Sequence, residues 1–175
     1  MNRNSVLLPQ PGAVRAPTGG LPLSAHPVGG AFAWLGCHGG AGVTTLQQTV
    51  PGGVDAGRVW PGPPATGGRQ PVVLVCRSHA SGLMAAQQAA AQWASGQVPH
   101  VDLIGLVAVA DAPGKLPRPL RDTLRLVSGG VPRAWRLPWV EAWRQGAPVT
   151  EAAPRELAAL DRELSHLTDR SIPRV

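Results

Sequence analysis

Three nearly uninterrupted apolar runs restrict the possible folds of this chain more than any other feature. They occupy residues 31–37, 72–76 and 101–110, and a shorter run follows at 133–137. A strand that is apolar without alternation is buried on both faces, which is typical of a parallel sheet covered by helices. The runs therefore predict about four strands of one buried sheet.

Helical patterns lie between these runs. A glycine-rich loop and a short helix from Thr44 follow the first run, and a helix at 83–95 follows the second. After the third run, Pro119 suits the first turn of another helix, and Trp139 and Trp143 share a helical turn after the fourth. This alternation predicts an α/β fold with a doubly wound, mostly parallel sheet and a C-terminal helix.

Composition divides the chain into three parts. Residues 1–30 are rich in proline and glycine without an apolar period, which predicts a disordered tail. Residues 31–148 form the predicted α/β domain, in which 55–70 is a loop, and 149–175 hold a helix and tail. In that helix four leucines follow one stripe, which either packs on the domain or docks on a partner. The stripe comprises Leu157, Leu160, Leu164 and Leu167.

The charge is compatible with polyanionic partners. The net charge is +6 over 175 residues and the pI is about 11.2, but the arginines are scattered, so a solvated basic face competes with DNA binding. No apolar stretch reaches the roughly 20 residues of a membrane span. The cysteines, Cys37 and Cys76, end apolar strands, which favours a reducing, cytoplasmic location.

The loop that follows the first strand has the composition of a phosphate-binding loop. Its glycines allow several backbone N–H groups to face one point, and the following helix adds a partial positive charge there. Thr44 lies where a hydroxyl would meet Mg²⁺. The segment reads Cys37-His38-Gly39-Gly40-Ala41-Gly42-Val43-Thr44-Thr45.

This segment resembles the loop of the ParA/MinD group of P-loop ATPases. Three glycines and both threonines match the family, whereas His38 and Val43 replace its two lysines and Cys37 replaces the first glycine. The resemblance implies ATP or ADP with Mg²⁺ as the ligand. Because both cations that neutralise the γ-phosphate are missing, we expect weak nucleotide binding and little or no ATPase activity.

The resemblance extends over residues 32–139, although it is specific only at the loop. The third strand is similar to the one that ends in the family's base-recognising asparagine, but here Ala110 and Asp111 follow it. No Walker B aspartate is identifiable between the first helix and residue 72. The resemblance implies a regulatory or scaffolding protein. Its partner would be a true ATPase or a second copy, bound at the loop edge or the C-terminal helix.

Two further functions remain open at this stage. The first is an active ATPase of ParA/MinD type with a non-standard loop, and the second is a basic adaptor associated with DNA. Activity would favour the first, and salt-dependent DNA binding would favour the second.

Chain order predicts which residues share the site. Ligands of parallel α/β sheets lie beyond the carboxyl ends of the strands, so Arg77 and Asp111 are expected beside the loop. Zinc binding by cysteines and histidines, and a Cys37 nucleophile paired with His79, are alternatives. The predicted phosphate site comprises His38, Gly39, Gly40, Ala41, Gly42, Val43, Thr44, Thr45, Arg77 and Asp111.

Overall fold

A computed structural model describes residues 8–169 of the chain. Five strands and five helices alternate along this part in the manner of an α/β domain. In chain order they are β1 (Phe32–Gly36), α1 (Val43–Thr49), β2 (Gly53–Asp55), β3 (Gln70–Arg77), α2 (Ala80–Ala94), β4 (Val101–Val109), α3 (Arg118–Gly129), β5 (Ala134–Leu137), α4 (Glu141–Arg144) and α5 (Arg155–Asp169).

The five strands form one sheet in the order β2-β1-β3-β4-β5, and every neighbouring pair is parallel. This order is one of the common doubly wound arrangements, in which the chain changes direction between β1 and β3. The predicted α/β class and parallel sheet are confirmed. Ligands of such sheets lie beyond the carboxyl ends of the strands, near the change of direction.

Helices cover both faces of the sheet and create two apolar cores. On one face α2 and α3 pack over alternate strand residues such as Leu35, Leu74 and Leu106. On the other face α1 and α5 pack over the strand residues that point the opposite way, such as Trp34 and Val75. Successive strand side chains point to opposite faces, so continuous apolar runs supply both cores.

The sequence analysis missed β2, which lies within a region assigned mainly to turns and a loop. The strand has three residues, and its Gly53 is required by close packing. A Cβ at Gly53 would lie within 2.6 Å of the Phe32 ring. Three residues are too few for a periodic pattern, and glycine argues against a strand by propensity. Only the packing of neighbouring β1 reveals it.

The C-terminal helix belongs to the core of the domain. Leu157, Leu160 and Leu164 are at most 4% exposed and pack with the α1 side of the sheet. Of the two interpretations of the leucine stripe, the structure therefore supports packing on the chain's own domain. The stripe is not free to dock on a partner.

The segment before β1 also packs on the domain, which differs from the predicted disordered tail. The backbone N–H of Trp60 donates to the Pro22 carbonyl at 2.8 Å, and the backbone N–H of Ser24 donates to the Trp60 carbonyl at 2.9 Å. The side-chain amide of Gln92 bonds both backbone groups of Leu21 and accepts from the indole of Trp60. Residues 1–7 lie outside the described part of the chain.

Within the described residues, no helix has the length and apolar character that crossing a membrane requires.

Candidate functional site

The glycine loop connects β1 to α1 at the carboxyl edge of the sheet. Gly40 has a φ of 72° and Gly42 has a φ of 106°, a region of backbone conformation that favours glycine. Gly42 is the N-cap of α1, and its carbonyl accepts the N–H of Leu46 at 3.1 Å. The glycines at these two positions are therefore needed for the path of the chain, whatever the loop binds.

His38 ties this loop to the end of β3. Its Nε2 accepts the backbone N–H of Arg77 at 2.9 Å, and its Nδ1 lies 2.8 Å from the Gly39 carbonyl. A ring with an acceptor at Nε2 and a donor at Nδ1 is the neutral Nδ1–H tautomer. His38 is thus engaged in holding the loop.

Arg77 bonds the loop through its side chain. Its Nε donates to the Gly40 carbonyl at 3.3 Å and its Nη1 donates to the Ala110 carbonyl at 3.0 Å, so the guanidinium spans from the loop to the end of β4. The residue is half-buried. In the part of the chain that the structure describes, none of the ion pairs includes Arg77.

A cleft of about 430 Å³ opens beside Arg77. One end is formed by the glycine loop and Thr45, the other by Trp139 and Trp143, and Asp111 lines the wall between them. This volume falls within the range of about 300–1,000 Å³ that is typical of small-ligand sites.

A second cavity of about 370 Å³ lies on the other side of the glycine loop, toward β2. Thr44, Asp55, Arg58 and Arg77 line it together with the loop backbone. The Asp55 carboxylate accepts the Gly57 N–H at 2.6 Å and faces the same space as the Thr44 hydroxyl. Asp55 was not predicted from the sequence, because it is the last residue of β2 and that strand has no recognisable sequence pattern.

The structure brings the predicted phosphate-site residues to one edge, although two of them are largely buried. Ala41 and Val43 are 2% and 8% exposed and pack in the core with α5. Their side chains therefore support the loop from below. All ten predicted residues line one or both cavities, namely His38, Gly39, Gly40, Ala41, Gly42, Val43, Thr44, Thr45, Arg77 and Asp111.

The two cysteines are buried thiols. Burial raises the pKa of Cys37 well above its usual range, and burial raises the pKa of Cys76 to about 12. A thiol is nucleophilic only as the thiolate. The alternative of a Cys37 nucleophile therefore has no support, since the thiol is protonated and 5% exposed.

The His79 side chain is engaged in a helix cap. Its Nδ1 accepts the Gly82 N–H at 2.9 Å, which caps the N-terminus of α2. His38 and His79 have ring centroids 5.0 Å apart. Across residues 8–169, however, no three histidine, cysteine or acidic side chains gather in a way that could hold a metal ion, so the zinc alternative has no site there.

These observations describe a doubly wound α/β protein with a glycine-rich loop and an arginine at the carboxyl edge of its parallel sheet. The chain belongs to DUF6668, a family of unknown function, whose model matches residues 31–159. This match includes every strand and the two edge cavities. Searches of curated proteins and of solved structures each found no match.

Proposed function

We propose that this protein is a regulatory or scaffolding protein that holds a phosphate-bearing ligand, such as ATP or ADP with Mg²⁺, weakly at its glycine loop. The observation that carries the proposal is the placement of Arg77. A half-buried guanidinium without a carboxylate partner is an unusual arrangement, because buried charges are generally paired. An anion beside the loop would supply the partner, and three of the five N–H donors of the guanidinium remain for it.

Weak binding follows from what surrounds this arginine. Val43 lies in the core where a P-loop has its lysine, and His38 is neutral and bonded at both nitrogens. Arg77 is the cation that bonds the loop directly, whereas Arg58 and Arg144 line the cavities without a hydrogen bond to the loop among the described residues. If Mg²⁺ accompanies the ligand, Thr44 and Asp55 are the hard oxygen donors that face the same cavity.

The engagement of Arg77 with the protein backbone also favours a regulatory role over catalysis. Transferring a phosphoryl group requires charge stabilisation that one arginine, already bonded to two carbonyls, supplies only in part. A partner that docks on the exposed loop could complete the site. Such a partner would be a true ATPase or a second copy of this chain.

Calorimetric titration with pyrophosphate and with Mg-ADP tests the proposal. Arg77→Ala should weaken either ligand by about 1.5–3 kcal/mol, the contribution of a charge-assisted hydrogen bond. Arg69→Ala is the matched control, because Arg69 is exposed and lines neither edge cavity. Micromolar affinity with brisk Mg-ATP turnover would instead favour an active ATPase, and no binding of either ligand would reject both.

The placement of the arginines favours DNA association as a second candidate function. Residues 112–136 carry six basic residues and one acidic residue, a net charge of +5. Arg118 and Arg125 on α3 are 85% and 78% exposed, and both pair only with Asp122. A DNA affinity that falls with salt, and falls further in Arg121→Glu/Arg125→Glu than in the α5 control Arg155→Glu/Arg162→Glu, would support it.

A further inference from the structure

We propose that the far end of the 430 Å³ cleft is a ring-stacking subsite, so that the ligand is a heteroaromatic ring tethered to a phosphate. This inference rests on the proposed function, because it assigns the phosphate end to Arg77 and the glycine loop. It adds a second recognition element, formed by Trp139 and Trp143, which would bind the ring of the ligand and not its phosphate.

The indole of Trp139 is held in a fixed orientation at this end. Its Nε1 donates to one carboxylate oxygen of Glu141 at 2.7 Å, and Gln145 donates to the other oxygen at 3.2 Å. The Arg144 guanidinium lies 5.9 Å from the centroid of the Trp139 ring. An aromatic ring fixed by hydrogen bonds is a preorganised surface for stacking, and it loses little freedom when a planar ligand binds.

Trp143 lines the same cleft. Its indole N–H is buried without an acceptor among the described residues, as are those of Trp34 and Trp93 in the cores, but of these three only Trp143 lines the cleft. A buried donor without a partner is unfavourable and generally finds an acceptor. A ring nitrogen or carbonyl of a bound heterocycle could be that acceptor after a small movement of the indole.

The charges along the cleft set the orientation of the ligand. Arg77 lies at the glycine-loop end, the apolar side chains of Leu46, Val109 and Leu137 line the middle, and Asp111 lines the wall. Two cations line the cleft, and Arg144 already lies against the Trp139 ring, whereas Arg77 has no carboxylate or ring partner among the described residues. We therefore place the phosphate beside Arg77 at the loop. The uncharged ring then extends across the apolar middle toward the tryptophans. Nucleoside diphosphates and flavin mononucleotide share this chemistry.

The affinity gained from the ring is the quantity to measure. Pyrophosphate, Mg-ADP and flavin mononucleotide are titrated into the full chain by calorimetry. At least one ring-bearing ligand should bind about tenfold more tightly than pyrophosphate, as expected for one stacked base. The stronger of the two identifies the source of the ring.

Substitutions at two tryptophans separate stacking from general damage. Trp139→Leu should abolish the tenfold gain and leave pyrophosphate binding unchanged, whereas Trp139→Phe should retain most of the gain. Trp135→Leu is a closely matched control, because Trp135 is also half-buried and donates its indole N–H to a glutamate, Glu163, at 2.8 Å. It lies outside the cleft lining.

The outcomes distinguish this inference from the proposed function. If pyrophosphate binds and neither ring-bearing ligand binds more tightly, the stacking subsite is refuted and the phosphate site stands. Equal losses in Trp139→Leu and Trp135→Leu would also refute the subsite. If pyrophosphate does not bind, adenosine and riboflavin are titrated instead. Binding that Trp139→Leu abolishes then supports the subsite alone, and no binding refutes it together with the phosphate site.

Discussion

Arg77 and His38 attach the glycine loop to the end of β3. The backbone N–H of Arg77 holds His38, and the side chain of Arg77 holds the Gly40 carbonyl. In consequence the loop is attached to β3 through polar contacts. These contacts already occupy both side chains. A phosphate could therefore bond only the remaining N–H donors of Arg77.

Buried Cys76 gives a prediction about pH. Its pKa is raised from about 8.5 in an unfolded chain to about 12 in the folded state, because burial disfavours the thiolate. The resulting stability is fully present below about pH 8.5 and is lost as the pH rises toward 12. Above pH 9 the free energy of unfolding should fall by about 1.4 kcal/mol per pH unit for each buried thiol.

Urea unfolding between pH 7.5 and 10.5 measures this slope. The composition makes the measurement clean, since the chain has one lysine and no tyrosine to titrate in that range. Cys76→Ala should make the slope shallower, while Cys37, whose pKa is also raised, maintains the rest. An unchanged slope in Cys76→Ala would contradict the assignment.

Among the elements, α5 connects the C-terminal part of the chain to the core that supports the glycine loop. Ala41, Val43 and Leu46 share their apolar cluster with Leu160 and Leu164. The helix therefore contributes to the apolar cluster that supports the glycine loop. Its charged face stays exposed, which leaves a polar surface for partners.

The packing of α5 predicts the effect of truncating Leu160. Because this side chain is 0% exposed, Leu160→Ala should lower the free energy of unfolding by about 2–5 kcal/mol, the usual cost of a large cavity. Leu126→Ala on α3 is the control, since Leu126 is 65% exposed and its loss should cost less than about 0.5 kcal/mol. Chemical denaturation compares the two. A Leu160→Ala variant that loses only a protein complex, and not stability, would contradict the core assignment.

At the scale of the whole molecule, the segment before β1 acts as a strap across the α2 side of the fold. The strap (residues 20–26) bonds the backbone around Trp60 and the side chain of Gln92, which is 5% exposed. Hydrogen bonds to buried groups are costly to leave unmade. The strap therefore contributes to stability even though its sequence has no regular pattern.

Removal of residues 1–26 should lower the free energy of unfolding by at least about 2 kcal/mol, because the side-chain amide of Gln92 loses Leu21 and the backbone N–H of Trp60 loses the Pro22 carbonyl. Gln92→Ala should cost a similar amount, and the two changes should not be additive, since they break the same network. Denaturation of the full chain, the truncation, the single variant and the combination tests this. Equal stability of the truncated and full chains would instead favour the disordered tail expected from composition.

The sequence by itself determined the local structure of this protein. Continuous apolar runs at 72–76 and 101–110 specify buried parallel strands, and the glycines of the loop specify its turn. These signals are read within one element, because they depend on side-chain period and backbone conformation. Only the tertiary structure decided the existence of β2, the core positions of Val43 and Leu160, and the hydrogen-bond partners of Arg77. Each depends on contacts between residues distant along the chain, which no local pattern encodes.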